Sequence, residues 1–203
     1  STRHGAVIAN RVEVLAATHA TDGWRISLRD LMGGRDLETT ATMVVNAGGP
    51  YVPDVGRLTG TTTEHRLVFS KGIHLVVPQV TDSGRILAFF DDHERLFYVL
   101  PMGKRSVIGT TDTPVDDPSV AVTEEDKVFL LEQINARLDL PRPLGHEDVI
   151  AERCGVRTLV VEPGAASEGR DWTELSRKHA VEAHRGLGVV TILGGKLSDC
   201  LNV

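Results

Sequence analysis

Apolar and polar residues fall into short runs broken by turn residues along most of the 203-residue chain. Ala6-Val7-Ile8-Ala9 and Val12-Glu13-Val14-Leu15 are rich in β-branched residues, and both predict strands. Thr21-Asp22-Gly23 predicts a turn, because Asp-Gly tolerates positive φ. In Trp24-Arg25-Ile26-Ser27-Leu28 apolar and polar positions alternate, the pattern of a strand with one face on a core and the other in water. A turn at Gly33-Gly34 precedes the run Ala41-Thr42-Met43-Val44-Val45, which predicts a strand entering the bend Asn46-Ala47-Gly48-Gly49-Pro50. A buried strand running into a glycine-rich bend is where α/β sheets hold ligands; a plain β-turn fits the same residues.

The middle of the chain has a different texture. Leu75-Val76-Val77, Ile86-Leu87-Ala88-Phe89-Phe90, Leu96-Phe97-Tyr98-Val99-Leu100 and Val107-Ile108-Gly109 predict strands. Turn clusters separate them at Thr81-Asp82-Ser83-Gly84, Asp91-Asp92-His93-Glu94 and Met102-Gly103-Lys104-Arg105, the spacing of an antiparallel meander. Thr123 is placed to cap a helix opened by Glu124, Glu125 and Asp126, with Val128, Leu131, Ile134 and Leu138 on one face and Pro141 and Pro143 beyond its end. Val149-Ile150-Ala151 and the run from Val156 to Val161 predict further strands, followed by a polar loop from Glu162 to Asp171 expected to be exposed and mobile. Val189-Val190-Thr191-Ile192-Leu193 predicts a strand covered on both faces, then Gly194-Gly195-Lys196, then a helix opening at Leu197.

Composition narrows the function classes. With 41% apolar and 25% charged residues the chain has the balance of a globular protein, and it contains no run of the roughly 20 apolar residues of a membrane span. A net charge of -6 without a Lys/Arg block argues against a nucleic-acid surface. The only cysteines, Cys154 and Cys200, have no paired spacing, so neither a disulfide framework nor a zinc site is expected, and a reducing compartment fits.

Several residues carry chemistry. At the strand–Gly194-Gly195-Lys196–helix junction, two glycines admit a ligand to backbone N–H groups and a lysine adds a charge, a combination suited to an anion or an electron-rich ring edge. It is not a phosphate-binding P-loop, since Leu197 stands where Ser or Thr is needed; a glycine turn with a solvated lysine is the alternative. Arg157, flanked by apolar residues, is a candidate clamp for phosphate or carboxylate, or half of an internal ion pair. Arg177 is a second such clamp or a solvated charge. His74, in Lys71-Gly72-Ile73-His74, is a candidate general base or a hydrogen-bonded structural residue. Consecutive side chains at Asp91-Asp92-His93-Glu94 diverge, and His179 and His184 share no face, so no metal is expected.

Taken in order, these motifs resemble the FAD-dependent glycerol-3-phosphate dehydrogenases. Asn46-Ala47-Gly48-Gly49-Pro50-Tyr51 is similar to their Asn-Ala-Ala-Gly-Pro-Trp, and Lys71-Gly72-Ile73-His74 to their Lys-Gly-Ser-His strand. Ile108-Gly109-Thr110-Thr111-Asp112 resembles Ile-Gly-Thr-Thr-Asp, and Gly155-Val156-Arg157 resembles Gly-Val-Arg-Pro with Thr158 in place of Pro. Ser176-Arg177-Lys178-His179 and Gly194-Gly195-Lys196-Leu197-Ser198 are similar to the family's Ser-Arg-basic-His and Gly-Gly-Lys-hydrophobic-Thr. Pro53 stands where the family has Asp.

The resemblance implies an α+β / α/β fold: part of a Rossmann-like FAD-binding domain, interrupted by an antiparallel β-sheet substrate domain with a packed helix. Residues 1–60 and 151–203 would form the FAD-binding part and 61–150 the substrate part. It further implies FAD bound by Asn46, Ala47, Gly48, Gly49, Pro50, Gly194, Gly195, Lys196, Leu197 and Ser198, and glycerol 3-phosphate bound by Arg157, Arg177 and Lys196. His74, Arg157 and Lys196 would serve catalysis, dihydroxyacetone phosphate would leave, and quinone would take the electrons. The full-length protein would be cytoplasmic or peripheral on the inner face of the membrane.

The Gly-x-Gly-x-x-Gly fingerprint that seats an FAD pyrophosphate does not occur in the chain, so a fragment unable to hold FAD or turn over alone is expected, with an unpaired sheet edge favouring homo-oligomers. An amino-acid or 2-hydroxy-acid oxidase is the alternative within the fold, with an arginine on a carboxylate. A non-catalytic anion-binding or assembly module is the alternative outside it.

Overall fold

The computed structural model describes residues 4–90, 96–164 and 178–196. The chain divides into two compact units, the first comprising Ser1–Leu67, Val160–Arg170 and Leu175–Val203, the second Val68–Leu159 and Asp171–Glu174.

In the first unit, strands β1 (Val12–Ala20), β2 (Gly23–Asp30) and β3 (Asp36–Ala41) form an antiparallel meander, with the predicted turn joining β1 to β2 through the pair Ala20 and Gly23. Trp24, 3% exposed, anchors β2 by donating its indole N–H to Leu187 O at 2.8 Å. Strand β4 (Val44–Asn46) leads through a 3-10 turn at Gly49–Tyr51 into helix α1 (Val52–Thr59), which ends at the left-handed Gly60.

The second unit is built on β5 (Arg66–Pro78), β6 (Leu87–Phe90), β7 (Leu96–Met102), β8 (Arg105–Gly109), β9 (Thr113–Val115) and β10 (Ala151–Val161). Their order is β10-β5-β8-β7-β6, with β9 on β5, and β5 through β8 pair antiparallel as the turn spacing predicts. Alternation along β5 sends Ile73, Leu75 and Val77 to one face, where they pack with Phe97, Val99 and Ile108 against Leu130, Leu131 and Ile134 of helix α2 (Glu124–Arg137). Thr123 caps α2 as predicted: its hydroxyl accepts from Asp126 N at 3.3 Å, and the Asp126 carboxylate accepts from Thr123 N at 2.9 Å. Asp126 also meets Lys71 Nζ at 2.5 Å, a buried ion pair that fixes the helix start to β5. The last two strands, β11 (His179–His184) and β12 (Val189–Gly194), belong to the first unit and pair antiparallel, with β12 running parallel to β4.

Four local expectations change. Ala6-Val7-Ile8-Ala9 is not a strand; Val7 is 95% exposed, so its β propensity has no partner to pair with. The run from Ala41 to Val45 is split, because β3 ends at Ala41 and β4 begins at Val44 in a different sheet. On α2, Leu130 is buried and Val128 is not, since at about 100° per residue Val128 lies about 120° around the helix from Ile134 and about 160° from Leu130. Along β12 fully buried residues alternate with half-buried ones, so one face is covered more completely than the other. The turn at Asp91-Asp92-His93-Glu94, most of the polar loop and the helix expected from Leu197 lie outside the described residues.

Candidate active site

The face of β5 turned away from α2 is polar, and two of its features depend on glycines. Arg157, on β10, lays its guanidinium over Gly72: a Cβ at Gly72 would stand 2.3 Å from Arg157 Nη2 and 2.7 Å from Cζ. Glycine inside a strand marks such a close approach. Around this seat Arg157 Nη2 donates to Thr110 Oγ1 at 2.7 Å, and Nη1 donates to Thr111 O at 3.2 Å and to Asp112 Oδ1 at 3.1 Å. The buried Ser70 hydroxyl donates to the same Asp112 oxygen. The internal ion pair considered for Arg157 therefore exists, with Asp112, and the Arg157 side chain still keeps 32% of its surface in solvent.

Two residues along β5 on the same face is His74, which pairs with Gly109 of β8. Burial holds the His74 imidazole below its ordinary pKa, and the charges of Arg157 and Arg153 push it the same way. The ring is therefore neutral at pH 7, the form that accepts a proton. On the helix side of the sheet a cavity of about 330 Å³ is lined by Lys71, Phe97, Phe129 and Asp126, and it shares Thr110, Thr111 and Asp112 with the Arg157 seat.

In the first unit the glycine-rich segments leave one sheet edge. Because β4 and β12 run parallel with Asn46 opposite Thr191, Gly48-Gly49 beyond β4 and Gly194-Gly195 at the end of β12 both stand at the carboxyl ends of their strands. The Asn46 side chain, 2% exposed, is spent on the bend: Nδ2 donates to Val52 O at 3.0 Å and Oδ1 accepts from Gly48 N at 3.2 Å. Gly49, Gly194 and Gly195 have φ of 57°, 62° and 84°, a region L side chains rarely occupy. No atom lies within 4 Å of where a Cβ on Gly49 would stand. Lys196 is exposed just beyond them.

Of the candidates, His74 and Arg157 share one face of the second unit, and Asn46, Ala47, Gly48, Gly49, Pro50, Gly194, Gly195 and Lys196 belong to the two segments at the β4–β12 edge. Arg177, Leu197 and Ser198 lie outside the described residues. The sequence reading assigned no role to Ser70, Gly72, Gly109, Thr110 or Asp112. The available signal was glycine within strand runs at 72 and 109, which implies close approach by another group. Among the described residues no cluster of three or more His, Cys, Asp or Glu could hold a metal, and no helix is long and apolar enough to cross a membrane.

A family model for FAD dependent oxidoreductases matches residues 1–199, and the chain belongs to that family. It is 32% identical to the mitochondrial glycerol-3-phosphate dehydrogenase of Macaca fascicularis over 204 residues, covering 96% of this chain and 27% of that protein. It is 31% identical to the aerobic glycerol-3-phosphate dehydrogenase of Staphylococcus haemolyticus, covering 93% and 35%. The crystal structure of glycerol-3-phosphate dehydrogenase from Bacillus halodurans complexed with FAD matches with a TM-score of 0.77 at 26% identity, over 97% of this chain and 37% of that one. The chain thus spans about a quarter to a third of the curated relatives' length.

FAD fits the β4–β12 edge. Positive-φ glycines free of side chains leave the carboxyl ends of parallel strands there, where backbone N–H groups can meet a ring edge.

Proposed function

We propose that the protein carrying this chain oxidises sn-glycerol 3-phosphate to dihydroxyacetone phosphate, with FAD as cofactor and quinone as final acceptor. The observation that supports this best is the polar face of β5, where a neutral histidine and a seated arginine occur together.

In this reading His74 and Arg157 are the substrate residues of the second unit, and the resemblance adds Arg177 and Lys196 from the first. Arg157, Arg177 and Lys196 bind the phosphate, since a dianion held away from water requires several converging cations. Three cations favour a phosphate over the single carboxylate of an amino acid or 2-hydroxy acid. His74 accepts the proton of the C2 hydroxyl as the C2 hydride leaves. Burial, with the charges of Arg157 and Arg153 acting the same way, lowers the pKa of that imidazole before the reaction, so the base is ready at pH 7.

The first unit would hold FAD through the backbones of Asn46, Ala47, Gly48, Gly49 and Pro50 and of Gly194, Gly195, Lys196, Leu197 and Ser198. When bound, FAD supplies the two-electron acceptor for the hydride. In the same reading the protein is cytoplasmic, or peripheral on the inner face of the membrane where quinone is reached.

The test is anaerobic bleaching of flavin absorbance in the protein expressed from its complete reading frame. Bleaching by glycerol 3-phosphate, but not by glycine or lactate, is the expected result. Bound flavin that glycerol 3-phosphate leaves oxidised and an amino acid bleaches would overturn the reading in favour of an oxidase.

A further inference from the structure

We propose that Asp112 is a positioning residue for Arg157, holding the guanidinium in the orientation that receives the substrate phosphate; the inference rests on the role given to Arg157 above. An arginine side chain loses much rotamer freedom when it is fixed, and the planar fork binds phosphate well only when its direction is set beforehand. Here several contacts set it. Gly72 removes the one Cβ that would occupy the seat, and Thr110 Oγ1 and Thr111 O take N–H groups at 2.7 and 3.2 Å. Asp112 supplies the charged acceptor at 3.1 Å.

The carboxylate is itself held, because Ser70, 1% exposed, donates its hydroxyl to the same oxygen that faces the arginine. The Asp112 side chain is also less exposed than that of its partner, 19% against 32%. Ser70 Oγ also accepts from Arg157 Nη1 at 3.5 Å, so the buried serine, Asp112 and the arginine that reaches solvent form one closed cluster.

Positioning and simple charge predict opposite signs. As a bare negative charge beside the phosphate, Asp112 would weaken substrate binding, and its removal would tighten it. As the group that orients Arg157, its removal weakens binding.

The experiment measures the Kd of dihydroxyacetone phosphate by calorimetry on oxidised, flavin-loaded protein from the complete reading frame, so turnover plays no part. Asp112→Ala is expected to raise Kd about tenfold, in the range of a lost hydrogen bond to a charged group. Asp112→Asn, which keeps an acceptor oxygen, is expected to restore most of the affinity. In an Arg157→Gln background Asp112→Ala is expected to change Kd by less than about twofold, because a residue acting only through Arg157 has nothing left to act on.

Arg157→Gln weakening binding while Asp112→Ala leaves it unchanged or tighter would overturn the positioning role and spare the substrate assignment. An Asp112→Ala effect that persists undiminished in the Arg157→Gln background would overturn it too. A silent Arg157→Gln would remove both. Should Asp112→Ala fail to fold, Asp112→Asn replaces it in the same cycle, with a two- to threefold rise in Kd that vanishes without Arg157 expected and an additive rise counting against the proposal.

Discussion

His74 lies over Gly109: the two pair across β5 and β8, and a Cβ on Gly109 would stand 2.7 Å from His74 Cδ2 and 2.7 Å from Ile73 O. The second contact is to backbone, so the ring cannot relieve the crowding merely by turning away. Gly109→Ala is expected to destabilise the protein by about 1–3 kcal/mol, the usual cost of overpacking, and to lower kcat by displacing the imidazole. Denaturant unfolding and steady-state kinetics with glycerol 3-phosphate check the two effects, and an alanine variant with unaltered kcat would show that His74 is not held for catalysis.

The direction of the His74 shift fixes the pH profile. Burial and two arginines lower its pKa below the ordinary 6.5. A base must be unprotonated, so the acidic limb of kcat/KM, which reports the free protein, is expected to have its midpoint below pH 6.5. His74→Asn should lose this acidic limb together with most of the rate, by about 10²–10⁴-fold for a general base. A limb that survives the substitution belongs to another group.

Much of the second unit was legible because its signals are local. Apolar runs with turn residues between them marked the meander, and Thr123 followed by the acids Glu124, Glu125 and Asp126 marked the helix start. The first unit was harder to read. Val44, Val45 and Asn46 form only a short strand, and their partner β12 lies more than 140 residues away, as Val44 opposite Val189 shows, so no local pattern separates them from β3. The site divides the same way. Arg157 and His74 stand out by residue type, whereas Asp112 reads as an ordinary loop acid until the fold places it against Arg157. Gly72 and Gly109 were read only as parts of motifs, and what each makes room for is a long-range side chain that the chain order conceals.

Asn46 yields a third prediction. Its amide joins Val52 O and Gly48 N in a nearly water-free place, so Asn46→Ala leaves a carbonyl and an N–H without that partner. The expected loss is about 1–3 kcal/mol of stability. Because the bend precedes the proposed flavin edge, the ratio of flavin to protein absorbance in the purified protein should fall as well. Asn46→Asp keeps the acceptor and sets an anion against the Val52 carbonyl, so it should be worse at pH 7 than at pH 4. Full flavin content in both variants would separate the bend from cofactor binding.

A last prediction concerns His65 and Glu182 in the first unit. His65 Nδ1 lies 2.7 Å from Glu182 Oε1, both side chains are largely buried, and Glu162 approaches the other ring nitrogen at 3.3 Å. The hydrogen bond with Glu182 raises the His65 pKa above 6.5, with burial opposing it and the two carboxylate charges reinforcing it. Burial would raise the Glu182 pKa, but His65 and the backbone N–H groups of His65 and Glu64 outweigh it and lower it below 4.5. The sign for His65 follows from proton uptake on folding: its contribution is complete below pH 6.5 and is lost as pH rises through the higher folded value. For Glu182 the contribution is complete above pH 4.5 and is lost as pH falls through the lower folded value. The pair therefore stabilises most between about pH 4.5 and 6.5. His65→Gln should lower the melting temperature most at pH 6 and less as pH rises above the folded value, where wild-type His65 also gives up its proton. An equal loss on both sides of the folded value would mean that the neutral ring, through packing and hydrogen bonding, carries the whole contribution.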